Sequence, residues 1–274
     1  MVASVLAWPG AVAIGVSLGL LGSGGSIITV PVLVYLIGQD EKLAIAGSLF
    51  IVGSIALVGS LQYIRLGMVD WRNVVIFGLP GMVGTWLGAM LSVWVPGIAQ
   101  LFLFALVMLL ASWLMLRPVD LEALPAVRRA AWKIATDGLL VGVVTGLVGV
   151  GGGFLIVPAL VLLGGLAIHT AVATSLVIIA LKSYSGFVKY LDVLDTQGLV
   201  LDWPVLMIVT ALGVVGSLAG ARIAYRMPQN QLKKGFGLFL IVMGGYILAR
   251  SLPEALQFAE SVWQTLRPVD PLIP

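Results

Sequence analysis

The chain alternates between long apolar segments and short separators that carry polar or turn-forming residues. No charged residue occurs in 1–39, 43–64, 73–116 or 235–249. A bilayer core of about 30 Å takes about 20 helical residues to cross, so segments of this kind predict membrane-spanning helices. The apolar segments are predicted at 9–37, 43–64, 74–95, 98–116, 134–165, 170–190, 204–225 and 232–251.

The two halves of the chain are predicted to be copies of one repeat. Residues 15–63 laid over 142–190 without a gap give 20 identities in 49 pairs. The matched residues include Gly22 with Gly149, Gly24 with Gly151, Gly25 with Gly152, Pro31 with Pro158, and Ser48 with Ser175. Fixed-period self-similarity of this kind indicates duplication. We therefore predict a first membrane repeat at 1–116, a basic cytoplasmic linker at 117–133, a second repeat at 134–251, and a tail at 252–274 with a short interfacial helix.

Each repeat opens with a glycine cluster in the middle of a long apolar segment. The clusters are Leu21-Gly22-Ser23-Gly24-Gly25-Ser26 and Val148-Gly149-Val150-Gly151-Gly152-Gly153. The pieces beside the first cluster, 9–21 and 27–37, reach only about 20 and 16 Å as helices, so neither spans a bilayer alone. Two half-helices that meet at a glycine tip resolve this mismatch, either as a re-entrant hairpin or as a broken span.

A glycine tip at membrane depth predicts an anion-binding site. Non-helical backbone is tolerated there only where it is buried in protein or lines a wet cavity. The second half-helix begins with free N–H groups and the positive end of its dipole. Paired, glycine-interrupted segments in two halves point to the midplane site of a transporter. Close helix packing is the alternative explanation for glycine, and it suits the regularly spaced runs Gly81-xx-Gly84-xxx-Gly88 and Gly213-xx-Gly216-xxx-Gly220 better than the adjacent glycines of the clusters.

Lys182 lies near the centre of the segment 170–190. A lysine at that depth is expensive and is a functional hypothesis by default. Ser175 lies on the same helical face, with Thr174 beside it. Snorkelling, or an ion pair with Asp137, is the structural alternative. The predicted substrate-binding residues are Ser23, Gly24, Gly25, Ser26, Ser48, Gly151, Gly152, Gly153, Thr174, Ser175 and Lys182.

Composition and charge exclude several classes of function. The chain has 60% hydrophobic and 10% charged residues, and 15 Lys and Arg stand against 12 Asp and Glu. In a membrane protein such a basic excess belongs to cytoplasmic loops and does not indicate nucleic-acid binding. A serine protease using Ser23 would need a base, and His169, the only histidine, is predicted at the surface. We predict no enzyme activity, no cofactor and no metal site.

The positive-inside rule favours one of two topologies. If both glycine clusters lie in full crossings, the repeats are parallel and the basic residues divide nine against five. If both form re-entrant hairpins, the repeats are inverted, and the division is ten against four. The ten are Arg65, Arg72, Arg117, Arg128, Arg129, Lys133, Arg222, Arg226, Lys233 and Lys234. The larger asymmetry favours inverted repeats with both termini outside.

The duplicated Gly-x-Gly-Gly opening, the Val-Pro six residues later, and the Gly47-Ser48 and Thr174-Ser175 steps resemble the TauE/SafE sulfite exporter family. So do Gly67-Met68-Val69-Asp70-Trp71 and the spaced glycine runs that follow. The resemblance covers roughly 10–250 and implies a multi-pass carrier of the prokaryotic cytoplasmic membrane. It implies a small sulfur-containing anion as the solute, such as sulfite, thiosulfate or an organosulfonate.

The sequence as a whole predicts an all-α membrane transporter that works by alternating access around a midplane site. An anion channel or facilitator, or a carrier that couples another small metabolite to a cation, stays open as an alternative. The predicted partners are the anion and the lipid bilayer, with no nucleic acid; assembly into a homo-oligomer stays open.

Overall fold

The computed structural model describes residues 7–22, 24–116, 130–148 and 153–266, and every regular element in those residues is a helix. The helices are α1 (Ala7–Leu21), α2 (Gly24–Pro31), α3 (Glu41–Arg65), α4 (Trp71–Asn73), α5 (Leu79–Leu91), α6 (Gly97–Leu116), α7 (Ala131–Val148), α8 (Gly153–Pro158), α9 (Ile168–Thr196), α10 (Trp203–Arg226) and α11 (Gln229–Leu266). All eight predicted apolar segments are mainly helical where the structure describes them, with non-helical backbone at Gly22 and at the ends of three segments.

Five helices in the described residues are long and apolar enough to cross a membrane. They are Glu41–Arg65, Trp71–Trp94, Ala131–Val148, Ile168–Thr196 and Trp203–Ala224. Trp71–Trp94 is one span because π-helical turns at Val74–Gly78 join α4 to α5. Asp70 and Asp202 cap the starts of α4 and α10 by accepting backbone N–H groups of those helices. The apolar helices on either side of the first glycine cluster are shorter, as the sequence predicts.

Two predicted boundaries differ from the structure. Helix α7 begins at Ala131, so Lys133 belongs to this helix and not to the linker, of which 117–129 lie outside the described residues. Helix α11 continues through Pro253 to Leu266, so the predicted tail does not start a separate helix there. Proline removes one backbone hydrogen bond and kinks a helix, but it does not always end one. Residues 267–274 lie outside the described residues.

Proline changes the helix geometry at the same place in both halves. Pro31 ends α2 and Pro158 ends α8, and π-helical turns follow directly at Val32–Leu36 and Ala159–Leu163. A proline has no N–H to donate and its ring crowds the preceding turn, so a wider turn relieves the conflict.

Glycines allow α1 and α10 to pack with their backbones in contact. A Cβ on Gly15 would fall on the carbonyl oxygen of Gly213, and one on Gly19 would fall on that of Ser217. The contact positions rise together along both chains, so the two helices run in the same direction.

Helices α5 and α7 form the corresponding contact between the halves. A Cβ on Gly84 would overlap the carbonyl oxygen of Leu139, and one on Gly88 that of Val143. These two helices are also parallel. The prediction that the spaced glycine runs serve close helix packing is confirmed, since even one methyl group would displace backbone at these contacts.

The centre of the bundle is the pair α3 and α9. Ser54 Oγ lies 2.8 Å from Tyr184 Oη, and Leu49 lies beside Gly186, nearer the end of α9. Because positions rise on one helix as they fall on the other, α3 and α9 are antiparallel. Helix α3 runs parallel to α10, where Gly59 meets Ser217.

Helices α1 and α2 lie side by side as an antiparallel hairpin. Gly10, near the start of α1, lies against Val32 and Leu36, just beyond α2. A Cβ on Gly25, near the start of α2, would meet the carbonyl oxygen of Ile14 and the side chain of Leu18. Because α2 runs back along α1, the next helix, α3, starts in the same direction as α1, and both run parallel to α10.

The helix-packing glycines allow a stability test in which Gly142→Ala is compared with Gly245→Ala. A Cβ at residue 142 would meet the backbone of Gly81 and Gly84, whereas one at residue 245 meets nothing within 4 Å. We expect Gly142→Ala to lower the free energy of unfolding by about 1–3 kcal/mol through overpacking. Gly245→Ala should leave it equal or slightly higher, because alanine is the better helix former. Thermal unfolding of the purified protein in detergent measures both; equal midpoints would contradict the packing role.

Candidate functional site

The tip of the α1–α2 hairpin is held against α9. Helix α1 ends at Leu21 and α2 begins at Gly24, and Gly22 between them has φ +69°, a conformation that glycine adopts without steric cost. Ser175 Oγ lies 2.8 Å from the carbonyl oxygen of Val172 and 3.2 Å from that of Gly22, so its one proton is shared between the two acceptors. A Cβ on Gly22 would lie 2.7 Å from Val172 Cγ1. A helix of the second half thus closes the tip of the first.

The predicted tip residues have different roles. Ser26 is fully buried. Gly25 packs on α1, and its carbonyl oxygen accepts a hydrogen bond from Thr29 Oγ1 at 2.6 Å. Gly24 is the first residue of α2, and Ser23 lies outside the described residues. Gly25 therefore has a clear packing function, which makes its substitution a poor probe of solute binding.

The second cluster is described only at its edges. Gly151 and Gly152 lie outside the described residues, and Gly153 is the first residue of α8. The last turn of α7 is held from two sides: the Leu147 carbonyl oxygen accepts from Gln100 Nε2 at 2.5 Å and from Tyr190 Oη at 3.1 Å.

Gln100 and Tyr190 are both fully buried and were not among the predicted site residues. A signal was present for each of them. Gln100 is a polar residue in an apolar segment, and Tyr190 coincides with Tyr63 when the repeats are overlaid.

The hydroxyl residues do not converge on one point. Thr174 Oγ1 accepts the backbone N–H of Asp70 at 3.0 Å. Ser48 Oγ donates to the Ile45 carbonyl oxygen at 2.8 Å. Leu49, the neighbour of Ser48, lies beside Gly186, which is eleven residues and about 16 Å along α9 from Ser175. The structure therefore brings Ser175 to the first tip, Thr174 to the start of α4 and Ser48 to a different depth.

Lys182 is fully buried at the middle of α9, with 0% of its surface exposed. Its Nζ donates to Thr145 Oγ1 on α7 at 3.2 Å. Its stem packs beside Gly81, where a Cβ would lie 3.1 Å from Lys182 Cδ. Complete burial rules out snorkelling to the bilayer surface. Asp137 lies eight residues before Thr145, about 12 Å along α7, so the ammonium lies two turns away from that carboxylate.

A second buried hydroxyl lies next to Lys182. Ser183 Oγ is buried without a hydrogen-bond partner among the described residues, and Ser183 packs on Gly53 of α3. Buried polar groups are normally hydrogen-bonded, so an unpaired one at the centre of a bundle needs an explanation.

The charge at this site favours an anion. A buried ammonium is strongly destabilised unless an opposite charge or several acceptors accompany it. The described partner of Lys182 is a neutral hydroxyl, and Thr145 Oγ1 also donates to the Gly142 carbonyl oxygen at 3.1 Å. Lys182 therefore has much to gain from an anionic ligand. Among the described residues, no cluster of His, Cys, Asp and Glu could hold a metal ion.

Comparison with known proteins gives a consistent picture. The family model "Sulfite exporter TauE/SafE" matches residues 7–247. A "Probable membrane transporter protein" of Xylella fastidiosa (strain 9a5c) is 32% identical over 245 residues, which cover 87% of this chain and 92% of the relative. "Probable membrane transporter protein YunE" of Bacillus subtilis (strain 168) is 30% identical over 251 residues, covering 82% and 90%. "Probable membrane transporter protein MJ0441" of Methanocaldococcus jannaschii is 23% identical over 259 residues, covering 89% and 96%. No solved structure matches.

The substitution Lys182→Met distinguishes a functional lysine from a structural one. Methionine keeps much of the side-chain volume and removes a buried charge. The Thr145 hydroxyl still donates to the Gly142 carbonyl oxygen, so the substitution does not leave it without a hydrogen bond. Replacing a buried charge by a well-packed apolar group is often neutral or stabilising. We expect the unfolding temperature of Lys182→Met to equal or exceed that of the parent. Lys189→Met, on the same helix at a partly exposed ion pair with Asp192, is the control and should change little. A marked loss of stability in Lys182→Met alone would assign the lysine to folding.

Proposed function

This chain belongs to the sulfite exporter TauE/SafE family, and we propose that its solute is a small sulfur-containing anion such as sulfite, thiosulfate or an organosulfonate. The chain is a multi-pass membrane transporter of the prokaryotic cytoplasmic membrane: the family match covers nearly all of it, its relatives are probable membrane transporters, and five described helices are able to span a bilayer. The solute class rests on the family description and on one observation, the buried Lys182.

The proposed topology is a pair of inverted repeats with re-entrant hairpins, in which α7, although long enough to span a membrane, forms one arm of the second hairpin. The antiparallel packing of α3 and α9 supports it, because these helices occupy the same position in the two sequence repeats. The parallel course of α1, α3 and α10 supports a hairpin that enters and leaves on one side. In this topology ten basic residues face the cytoplasm and four face outwards, as the positive-inside rule favours.

The proposed binding path includes the first hairpin tip and Lys182. The first N–H groups of a helix have no partner within it, and they carry the positive end of the helix dipole. Ser175 fixes Gly22 beside this helix start, and Lys182 lies seven residues away, about 10 Å along α9. A compact oxyanion can accept hydrogen bonds from backbone amides, hydroxyls and the ammonium, whereas a metal cation would be repelled.

Alternating access is the proposed mechanism. Thr174, Ser175 and Lys182 are all fully buried, as an occluded state requires. Each hairpin meets the opposite half through smooth glycine surfaces, α1 on α10 and α7 on α5, which suit small sliding movements between packed helices. Movement of each hairpin against the α3–α9 pair would open the path to one side at a time.

Uptake of ³⁵S-labelled sulfite and thiosulfate into proteoliposomes tests the proposed function. We expect the parent protein to transport at least one of them, and Lys182→Met to reduce the rate about 10- to 100-fold. This range follows from the 1.5–3 kcal/mol typical of a hydrogen bond to a charged group. Lys189→Met should transport as the parent does.

Each alternative gives a different result in the same assay. Trans-stimulation by solute on the far side indicates a carrier, and its absence together with a non-saturating flux indicates a channel. If the parent transports neither sulfur anion, the proposed solute class is wrong. If Lys182→Met transports at the parent's rate, the proposed site is wrong.

The topology is tested by labelling single cysteines from one side of the membrane. The parent has no cysteine, so Leu66→Cys and Val200→Cys each give one thiol. Both positions lie in loops, at 54% and 83% exposure. We expect a membrane-impermeant maleimide added to intact cells to label Val200→Cys but not Leu66→Cys, because inverted repeats put these loops on opposite sides. Equal labelling of both would indicate parallel repeats.

A further inference from the structure

A lateral cavity separates the first hairpin from α11. Its volume is about 380 Å³, within the range of sites for small organic ligands. Its lining is largely apolar and includes Val16, Leu20, Leu21, Ile28, Gly235 and Phe239. These residues lie on a different face of α1 from Gly15 and Gly19, which pack on α10. The cavity is therefore distinct from the proposed anion path.

The gap between the hairpin and α11 narrows from the cavity toward the other end of the hairpin. At the other end, the hairpin segment touches α11, where the Tyr35 and Tyr246 rings meet edge to face at 5.8 Å. The Arg250 guanidinium lies 5.8 Å from the Tyr35 ring and 5.9 Å from the Tyr246 ring. Gly235 lies eleven residues from Tyr246, about 16 Å along α11. The hairpin is therefore joined to α11 far from its tip and separated from it near the tip.

The segments that build this cavity carry basic residues next to lining residues and have no acidic residue. Neither 7–36 nor 203–253 contains Asp or Glu. Arg222, Arg226 and Lys234 have exposed side chains at the end of the bundle where Met227 and Gln231 line the cavity. An apolar cleft beneath a cluster of exposed cations matches an anionic lipid, which has an acyl chain below a negatively charged headgroup.

We propose that this cavity binds an anionic phospholipid, with an acyl chain between α1 and α11 and the headgroup phosphate at Arg226 and Lys234. A gap that is open to the bilayer loses packing contacts unless a chain fills it. An inorganic anion would gain nothing from the apolar lining. Because Leu20 and Leu21 directly precede the glycine tip, the bound chain supports that tip. The proposal does not depend on which solute the protein transports.

The substitution Gly235→Leu fills the cavity with little risk to the fold. A Cβ at residue 235 meets nothing within 4 Å, and leucine is the better helix former. Gly245→Leu, at another open position of α11 outside the cavity lining, is the matched control. After delipidation and addition of phosphatidylglycerol, native mass spectrometry should show one retained lipid on the parent and on Gly245→Leu. We expect at least tenfold lower occupancy in Gly235→Leu.

The headgroup contact is tested separately with Arg226→Gln combined with Lys234→Gln. The loss of two cations should weaken phosphatidylglycerol binding about 30-fold at low salt and leave phosphatidylcholine binding unchanged. Unchanged lipid retention in Gly235→Leu, or an unchanged preference for phosphatidylglycerol in the double variant, would overturn the proposal. Disulfide cross-linking of Gly235→Cys to a second copy would also overturn it, because a protein neighbour would then cover the cavity. Sulfite and thiosulfate play no part in these measurements, so their outcome is independent of the transport assay.

Discussion

Backbone amides and carbonyls inside a bilayer must find partners within the protein, and the arrangement of this molecule follows from that constraint. A helix that ends inside the bundle leaves several such groups without intrahelical partners. At the first break the Gly22 carbonyl oxygen accepts from Ser175 on α9. At the end of α7 the Leu147 carbonyl oxygen accepts from Gln100 and Tyr190. A side chain from another helix thus reaches one carbonyl oxygen at each of these helix ends, so both ends depend on the rest of the bundle.

The same constraint explains why the two halves interlock. Helix α1 of the first half packs on α10 of the second, and α7 of the second half packs on α5 of the first. Glycine brings these backbones close enough for extensive van der Waals contact, which is a main source of attraction between helices in lipid. The first hairpin is therefore packed on the opposite half along α1, while its face toward α11 borders the lateral cavity.

The sequence was sufficient to predict the helical segments, the break after Leu21 and the packing role of the spaced glycines, because hydrophobicity and glycine spacing are local properties. The second predicted break, at 149–152, lies outside the described residues. It could not predict which side chains meet. Gln100 binds the Leu147 carbonyl oxygen, and Thr145 binds Lys182. Neither pair can be recognised until the contacts between α6, α7 and α9 are known. The expectation of one site containing both Ser48 and Ser175 depended on the register between α3 and α9. In an antiparallel pair, equivalent positions share a depth only near the crossing point, as Ile55 and Lys182 do, and they separate with distance from it, as Ser48 and Ser175 do. No periodicity within one helix reveals this.

The difference between the repeats at Lys182 has a physical reason in this geometry. Ile55 coincides with Lys182 when the repeats are overlaid, and it packs against Gly213 as Lys182 packs against Gly81. The same glycine-lined position thus holds an apolar side chain in one half and a cation in the other. Ile55 lies two residues from Gly53, which contacts Ser183, the neighbour of Lys182. A lysine in both repeats would place two buried ammonium groups near the centre of one bundle, where their repulsion is poorly screened. A single lysine avoids that repulsion, and in the proposed function it supplies the positive field for an anion.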